Sequence, residues 1–491
     1  MKSKVIIVGA GIGDKDNITV KVKKALENAD VIVYDRLINH DIIREYEGKK
    51  ELYYVGKKAS HHTMAQEDIN KLMVKMANEG KNLVRLKGGD PYIFARGSEE
   101  ALFLKENGVD FEVYPGLTAA TVCLNSAGIP QTHRNISQSV TYITGHREND
   151  EDQSFEKYGK YDGTLVFYMG LKNLDKIIND LLAGGMDGDA DIAIISKGGY
   201  NNQKVFKSKV RFVLTEIKEE DFPSPTLIVI GKTVGLSDDL NYFENRVLFN
   251  KNVLITRSLK ESFDLSQRLT ELGANVINAP TFSIEYKNLD ILENDIDNFD
   301  YDYLIFTSTN SVRIFFETLL KKHDIRKIGK VKIAAIGLKT KRVIESFNLK
   351  VDYYSKEGVA EKLYEKLFSI IKKEDKVYLP HSSLTRPYII DRLREKSTLR
   401  DLEIYDNEII KEKVNFDEKL DAALFMSSSS VNNFIEVYGK DALKDVKIFS
   451  IGAITSQTLK DHGLNDIIQP KIASSENLLE EVEKYYENEK N

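Results

Sequence analysis

The sequence of 491 residues contains a single cysteine, Cys123, and no long uninterrupted run of apolar residues. One cysteine can form neither an internal disulfide nor a cysteine-based metal cage. A membrane-spanning helix needs about 18 consecutive apolar residues, and the apolar run near the N-terminus is also too short for the core of a signal peptide. We therefore expect a cytoplasmic protein that has no membrane partner.

The charge balance and the absence of repeats exclude further classes of protein. The 70 basic and 76 acidic side chains leave a net charge of −6, which argues against a broad nucleic-acid surface and a nucleic-acid partner. Heptads and internal repeats, which a purely structural chain would more often show, are missing. A chain of this length is too long for one hydrophobic core and predicts about two to four domains.

Short β-branched runs alternate with helical stretches along the whole chain, which predicts an α/β fold. The alternation is interrupted by a polar, non-periodic segment near residues 236–251 and then starts again. We therefore predict a first domain over 1–240, a linker over 241–251 and a second domain over 252–491. Two extended segments, Thr281–Tyr286 and Ile404–Ile410, divide the second domain into lobe A (252–282 and 411–491) and lobe B (287–403).

Two glycine-rich turns follow strands in the first domain. The first, GAGIGD at 9–14, lets the backbone at Gly11 and Ile12 approach a ligand, although it does not match the G-x-G-x-x-G dinucleotide fingerprint. The second, VRLKGGDP at 84–91, makes a sharp turn in which Asp90 could accept hydrogen bonds from an amine or a ribose. An ordinary strand-to-helix turn and a capped turn are the alternative interpretations.

The ordered series of motifs in the first domain resembles uroporphyrinogen-III C-methyltransferase, of the tetrapyrrole methylase family. The motifs are GAGIGD, YDRL at 34–37, YVGKKASHHTMAQEDIN at 54–70, GGDP at 88–91, PGLTAAT at 115–121, AGIPQTHR at 127–134, TGH at 144–146, FYMG at 167–170 and PSPTLIVIG at 223–231. The resemblance implies a two-lobed α/β fold that binds S-adenosylmethionine in the cleft between its lobes. It also implies a homodimer formed through this domain.

The resemblance assigns roles to individual residues of the first domain. The residues implied to contact the cofactor are Gly88, Gly89, Asp90, Ile93, Thr118, Ala119, Met169 and Gly198. Core packing is the alternative interpretation of Met169. Ile12 stands where the family usually has proline, so the first loop lacks a fixed φ angle.

Methylation of a pyrrole carbon needs a base, and a macrocycle with eight carboxylates needs cations. The resemblance implies that Asp35 accepts a proton and that Lys57 donates one, although Asp35 could instead form a structural ion pair with Arg36. The candidate carboxylate-binding residues are Arg36, Arg96, His133, Arg134, His61 and His62. We expect no metal site, because the two adjacent histidines lack a third ligand nearby.

The second domain has hydroxyl-rich strand ends, where open α/β sheets often bind anions and where hydroxyls also cap helices. Its motifs resemble uroporphyrinogen-III synthase: VLITR at 253–257, LIFTSTNSV at 304–312, AAIGLKT at 334–340, LPHSSLTR at 379–386, EIYDNEI at 403–409, LFMSSSSV at 424–431 and SIGAITSQTL at 450–459. The resemblance implies that Tyr405 donates a proton to the departing hydroxyl. It implies that Ser308, Thr340, Ser427 and Thr455 bind substrate carboxylates, while His381 stands where arginine is common.

Together the two resemblances predict a bifunctional enzyme of tetrapyrrole biosynthesis whose substrates are small molecules. The second domain would cyclise hydroxymethylbilane to uroporphyrinogen III, and the first would methylate that product at carbons 2 and 7 to precorrin-2, which feeds sirohaem or cobalamin. The alternative is a methylase for another tetrapyrrole that is joined to a non-catalytic substrate-binding module.

Overall fold

The computed structural model describes residues 4–56, 64–146, 154–257, 259–355, 360–414, 416 and 419–490. Over these residues the chain is α/β, as predicted, and its strands form four sheets. The chain divides into two compact units. The first contains Met1–Asn252, Gln267–Val276 and Val482–Asn491, and the second contains Val253–Ser266 and Ile277–Glu481.

The first sheet of unit 1 is parallel throughout and has the strand order β3-β2-β4-β1-β5. Its strands are β1 Val5–Gly9, β2 Val31–Tyr34, β3 Glu51–Tyr54, β4 Leu83–Lys87 and β5 Phe111–Tyr114. The helices of this part are α1 Val20–Asn28, α2 His40–Arg44, α3 Gln66–Asn78, α4 Gly97–Glu106 and α5 Ala119–Ser126. Because the strands are parallel, the loops that follow them all leave from one edge of the sheet.

The second sheet of unit 1 has the order β6-β7-β10-β8-β9 and is mixed, since β6 and β7 are parallel and the other pairs are antiparallel. Its strands are β6 Val140–Thr144, β7 Thr164–Tyr168, β8 Asp191–Ser196, β9 Lys204–Lys209 and β10 Thr226–Ile230. The helices are α6 Leu174–Ala183, α7 Val213–Glu216 and α8 Ser237–Leu240.

Unit 2 contains most of the two remaining sheets. One has the order β12-β11-β19-β20-β21 and the other the order β13-β18-β17-β14-β15-β16. The strands are β11 Asn252–Ile255, β12 Asn275–Asn278, β13 Phe282–Tyr286, β14 Tyr303–Phe306, β15 Lys332–Ile336, β16 Tyr353–Ser355, β17 Lys376–Ser382, β18 Thr398–Ile409, β19 Ala422–Phe425, β20 Lys447–Ser450 and β21 Ile467–Ile468. The helices of this half of the chain are α9 Leu259–Glu271, α10 Leu289–Asp297, α11 Thr309–Lys322, α12 Gly337–Glu345, α13 Ala360–Phe368, α14 Pro387–Lys396, α15 Ser428–Tyr438, α16 Ala453–Asp461 and α17 Ser475–Lys490. The C-terminal parts of α9 and α17 belong to unit 1.

The two extended segments predicted between the lobes lie side by side, since β13 pairs antiparallel with the end of β18 from Phe282↔Ile409 to Tyr286↔Tyr405. β18 begins six residues earlier than the segment predicted at Ile404, because its first part forms a parallel ladder with β17. Tertiary pairing therefore extends this strand beyond its apolar pattern.

The cores follow from the apolar faces of these elements. In the first sheet, Val5, Ile7, Val31 and Val33 pack against α3 and α4, whereas residues of the opposite face, such as Val84 and Leu86, pack against α1 and α2. Among the described residues, no helix combines the length and the apolar content that crossing a membrane would require.

Candidate active sites

Three loops at one edge of the first sheet meet backbone to backbone. Gly11 and Gly89 exchange two hydrogen bonds, with N···O distances of 3.2 and 2.8 Å. A Cβ atom on Gly9 would lie only 2.4 Å from the carbonyl oxygen of Gly89 and 2.6 Å from the nitrogen of Gly116. Only glycine permits this approach, so the loops after β1, β4 and β5 form one surface made largely of backbone groups.

Asp90 joins two of these loops. Its Oδ1 accepts a hydrogen bond from the Tyr92 nitrogen at 2.8 Å, and its Oδ2 accepts one from the Gly116 nitrogen at 3.1 Å. The carboxylate thus fixes its own turn, in agreement with the capped-turn interpretation. Ile93 lies beyond this turn and is exposed.

The last residue of β7 is a buried tyrosine, Tyr168, that the sequence interpretation missed. The Tyr168 hydroxyl shares a hydrogen bond with Thr118 Oγ1 at 2.7 Å and accepts another from the Ala120 nitrogen at 3.0 Å, which connects β7 with the start of α5. Burial raises the pKa of Tyr168 to about 12. The neighbouring Met169 has a φ of 55° and a side chain that is largely exposed, so the core interpretation of this residue is wrong.

The glycine pair after β8, Gly198 and Gly199, packs closely against α5 and against the loop after β1. A Cβ atom on Gly198 would lie 2.3 Å from the Cys123 sulfur in α5, and one on Gly13 would lie 2.6 Å from the carbonyl oxygen of Gly199. Ile12 packs against the core of the second sheet. A side chain that packs against the second sheet thus replaces the proline that the family usually has there.

Asp35 lies directly after β2, beside these loops. Its Oδ2 accepts a hydrogen bond from Arg85 Nη2 at 3.2 Å, and its Oδ1 accepts one from the Leu37 nitrogen at 3.3 Å. Asn39, four residues later, donates to the carbonyl oxygen of Gly13 at 2.8 Å. The ion-pair partner of Asp35 is therefore Arg85, whereas Arg36 is exposed.

Arg85 belongs to a buried charge cluster that the sequence interpretation also missed. Glu100 Oε1 accepts hydrogen bonds from Arg85 Nε, Lys87 Nζ and Gln66 Nε2, each at 3.1 Å. The signal for this cluster was the two cations of VRLK at 84–87, a run that lies in β4, the central strand of a parallel sheet. Such strands are normally apolar, so charges within them require buried partners.

The candidate carboxylate-binding residues of the first half lie on three different loops, and all four that are described are exposed. Arg36 follows β2, Arg96 precedes α4 and pairs with Glu99 at 2.6 Å, and His133 and Arg134 lie between α5 and β6. Lys57, His61 and His62 lie outside the described residues. Over the described residues, no cluster of three or more His, Cys, Asp or Glu could hold a metal ion.

In the second half, the structure brings the predicted proton donor and one predicted binding residue together. The Tyr405 and Ser308 hydroxyls share a hydrogen bond of 2.8 Å. Ser308 also caps α11, because its Oγ accepts from the Ser311 nitrogen at 3.0 Å. The ring of Tyr405 is buried in the core of the six-stranded sheet, and its hydroxyl contacts this cap.

The other three predicted binding residues occupy similar places at helix starts. Ser427 caps α15 through the Ser430 nitrogen at 3.2 Å, while Thr340 and Thr455 are buried in the first turns of α12 and α16. Thr340 follows a strand of the same sheet as Ser308. Ser427 and Thr455 follow strands of the sheet with the order β12-β11-β19-β20-β21. The capping interpretation of the hydroxyls thus holds for Ser308 and Ser427.

Comparison with known proteins identifies both halves. The sequence pattern of the family described as tetrapyrrole (corrin/porphyrin) methylases matches residues 4–213, and that of uroporphyrinogen-III synthase HemD matches residues 264–480. A crystal structure of uroporphyrin-III-C-methyltransferase from Thermus thermophilus is 35% identical, with a TM-score of 0.41, and covers 49% of this chain and 97% of that one.

Two curated proteins are similar over different shares of the chain. Uroporphyrinogen-III C-methyltransferase of Bacillus subtilis (strain 168) is 44% identical over 246 residues, which are 50% of this chain and 96% of that protein. The porphyrin biosynthesis protein HemD of Ruminiclostridium josui is 32% identical over 479 residues, which are 95% of each chain. This chain therefore belongs to the family of porphyrin biosynthesis proteins that join a tetrapyrrole methylase to a uroporphyrinogen-III synthase, and it is a bifunctional enzyme of tetrapyrrole biosynthesis.

Proposed function

We propose that a methyltransferase domain over residues 1–240 transfers methyl groups from S-adenosylmethionine to carbons 2 and 7 of uroporphyrinogen III, which yields precorrin-2. The observation that carries this proposal is the meeting of the loops after β1, β4 and β5 beside Asp35. Backbone groups in such loops can approach a ligand closely. The names of the similar methyltransferases indicate the same substrate class.

In this proposal the cofactor binds to the glycine-rich loops and the adjoining residues. These are Gly11, Ile12, Gly88, Gly89, Asp90, Ile93, Thr118, Ala119, Met169 and Gly198. Support comes from the backbone contacts of the first three loops and from the hydrogen bonds that hold Thr118 and Asp90 in place. The exposed, apolar and adaptable Met169 suits contact with a bound molecule.

The chemistry requires one proton to leave the ring for each methyl group gained. A carbon–sulfur bond of the sulfonium breaks, a carbon–carbon bond forms, and S-adenosylhomocysteine leaves. Asp35 accepts a ring proton, as a general base within reach of the substrate would. When Lys57 donates a proton elsewhere on the ring, a second ring proton leaves to water, so that the net loss stays at one proton per methyl group. Arg36, Arg96, His133 and Arg134 bind the peripheral carboxylates through charge-assisted hydrogen bonds.

The synthase domain, residues 252–491 after a connecting segment at 241–251, cyclises hydroxymethylbilane to uroporphyrinogen III. Tyr405 protonates the departing hydroxyl, which leaves as water, and Ser308, Thr340, Ser427 and Thr455 bind carboxylates. The hydrogen bond between Tyr405 and Ser308 supports this pairing of roles. We further propose that the protein is cytoplasmic and forms a homodimer through the methyltransferase domain.

The decisive experiment supplies purified full-length protein with hydroxymethylbilane, with and without S-adenosylmethionine, and follows the products by absorbance and mass spectrometry. We expect uroporphyrinogen III without the methyl donor and dimethylated precorrin-2 with it. Asp35→Asn should abolish methyl transfer apart from a small residual rate and leave S-adenosylhomocysteine affinity near normal, because in this proposal Asp35 contacts the substrate and not the cofactor. Equal loss of both would assign Asp35 a role in folding or cofactor binding.

The Tyr405→Phe variant tests the second half separately. We expect slower ring closure with unchanged methylation of supplied uroporphyrinogen III. Wild-type protein that methylates but never closes the ring would instead favour a non-catalytic substrate-binding module. If the protein methylates another tetrapyrrole but not uroporphyrinogen III, the proposed substrate of the first half is wrong.

A further inference from the structure

The central strand of the first sheet buries two cations on one face. Arg85 and Lys87 in β4 have side chains that are only 3% and 7% exposed. They continue the row that begins with Leu83, on the face covered by α3 and α4. Burying a charge without a partner is very costly, so both side chains depend on carboxylates from neighbouring elements.

Glu100, in the first turn of α4, supplies the inner carboxylate. It is fully buried, and its Oε1 alone accepts the hydrogen bonds from Arg85, Lys87 and Gln66. Burial would raise the pKa of Glu100, but Arg85 and Lys87 together hold it below its usual value. The other oxygen, Oε2, has no hydrogen-bond partner among the described residues.

The guanidinium of Arg85 is held at all three of its nitrogens. Nε donates to Glu100, Nη1 donates to the carbonyl oxygen of Leu86 at 3.2 Å, and Nη2 donates to Asp35 at 3.2 Å. A planar guanidinium can make these bonds in three fixed directions at once, whereas a lysine ammonium cannot reproduce that geometry. Arg85 therefore transmits the position of Glu100 to Asp35.

Asp35 is the end of this network that faces solvent. Its side chain is 27% exposed, whereas those of Arg85, Lys87 and Glu100 are between 0% and 7% exposed. The two carboxylates balance the two cations, so the network is neutral as a whole. Since Asp35 stands beside the glycine-rich loops, the network connects the buried face of the sheet with the proposed site of proton transfer.

We propose that Arg85 is a positioning residue that holds Asp35 in place for proton transfer, and that buried Glu100 fixes the Arg85 guanidinium from the opposite side. This inference rests on the proposed role of Asp35 as the proton acceptor. It adds two residues to that reaction, neither of which touches the substrate.

The primary test is Arg85→Lys in the full-length protein. This substitution keeps the positive charge and removes the planar guanidinium with its three donor nitrogens. A misplacement of about 1 Å in a catalytic group can cost about 100-fold in rate. We therefore expect kcat for methylation of uroporphyrinogen III to fall by about that factor, while its KM and the affinity for S-adenosylhomocysteine change little. Arg44→Lys is the matched control, because Arg44 forms an exposed ion pair with Asp41 and should keep full activity.

A double-mutant cycle tests whether Arg85 acts through Asp35. If it does, adding Arg85→Lys to Asp35→Asn should cause no further loss of the residual rate, because the residue being positioned is already disabled. Two independent losses that multiply would overturn the proposal. If Asp35→Asn is inactive but Arg85→Lys is fully active, the proposal fails while the role of Asp35 stands; an active Asp35→Asn would instead refute the proposed base.

A second variant keeps the test valid if Arg85→Lys does not fold. Glu100→Gln has nearly the same shape and can retain the Oε1 acceptor. It removes one buried negative charge, and loss of the Lys87 proton can compensate, because burial lowers the pKa of Lys87. We expect a loss of kcat smaller than that of Arg85→Lys, with KM and S-adenosylhomocysteine affinity retained. If both variants lose kcat and cofactor binding in parallel, the cluster only stabilises the fold and the proposal is wrong.

Discussion

Two adjacent residues at the end of β7 lie in opposite environments. Tyr168 is 8% exposed and holds Thr118 and Ala120 through its hydroxyl, whereas Met169 is 53% exposed. The positive φ of Met169 turns the chain at this point, a backbone state that non-glycine residues adopt mainly where the surrounding structure enforces it. One residue thus fixes the loop, and the next is available to a bound molecule.

The raised pKa of Tyr168 predicts a loss of stability at high pH. Its pKa lies near 12 in the folded chain and about 10 when unfolded, so the folded state favours the neutral phenol. This contribution is fully present below pH ~10 and is lost as the pH rises toward 12, which amounts to about 1 kcal/mol at pH 11. Calorimetric unfolding at pH 8 and pH 11 should therefore show that the free energy of unfolding decreases less between these two pH values in Tyr168→Phe than in wild type.

The control for this comparison is Tyr92→Phe, since Tyr92 is largely exposed. The stability of Tyr92→Phe should decrease between pH 8 and pH 11 by as much as that of wild type. The relevant transition is identified by its upward shift on adding S-adenosylhomocysteine, because a ligand stabilises the unit that binds it. Identical behaviour of Tyr168→Phe and wild type would contradict the prediction.

At the scale of elements, the second half contains a repeated arrangement. The series β14-α11-β15-α12-β16 and the series β19-α15-β20-α16-β21 have the same order, and each begins with a strand followed by a serine cap. The similarity of IFTSTNSV to LFMSSSSV and of AAIGLKT to FSIGAIT reflects this arrangement, because the same strand-to-helix connection needs a hydroxyl in the same place.

The two caps differ in one contact, which yields a prediction. Ser308→Ala removes a cap and the hydrogen bond to Tyr405, whereas Ser427→Ala removes a cap and a contact with Ser429 near the surface. A cap contributes about 1 kcal/mol and a buried hydrogen bond about 1 kcal/mol more. Hydrogen exchange should therefore show a larger loss of protection at Ser311 in Ser308→Ala than at Ser430 in Ser427→Ala.

Equal losses at the two helix starts would mean that the Tyr405 contact contributes nothing to stability. Exchange at the start of α12, away from either substitution, provides the internal reference in both variants. Its protection should remain at the wild-type value.

At the scale of the whole molecule, the proposed connecting segment 241–251 makes specific contacts within unit 1. Tyr242 donates to Asn125 Oδ1 at 2.9 Å, Gln203 Nε2 donates to Glu244 at 3.0 Å, and Leu248 is fully buried. A polar, non-periodic stretch therefore contributes to the packing of the first half. Polar side chains of this segment, such as Tyr242 and Glu244, form hydrogen bonds with other residues of unit 1.

We predict that Leu248→Ala destabilises unit 1 by about 3 kcal/mol, the usual cost of removing a buried leucine side chain. The temperature of the calorimetric transition that responds to S-adenosylhomocysteine should fall accordingly. Leu240→Ala is the matched control, because Leu240 is 47% exposed, and it should change stability little. Equal effects of the two substitutions would show that the segment does not contribute to the core.

The sequence predicted regular elements well where local pattern and tertiary pairing agree. The strands β2, β7 and β10 coincide with short β-branched and apolar runs of the kind that predicted the α/β class, because each lies inside a sheet and is mostly buried along its length. The α4 helix begins at Gly97, with Arg96 at its N-cap, although Ser98 is the residue type that favours the N-cap position. There the turn after GGDP sets the start of the helix, and the local capping preference is overridden.

The amino-acid sequence by itself determined the α/β class, the two successive halves and the motifs that assign each half to its family, because these depend on the order of residues and on apolar periodicity. Only the tertiary structure decided that Asp35 pairs with Arg85 instead of its neighbour Arg36, that Tyr168 holds the start of α5, and that Glu100 lies beneath the proposed site. These contacts join residues 15 to 50 positions apart in the chain. Their physical cause is the side-by-side pairing of strands that are distant in the chain and the packing of helices over them. This brings polar and charged groups from different parts of the chain into a low-dielectric interior, where each must find a partner.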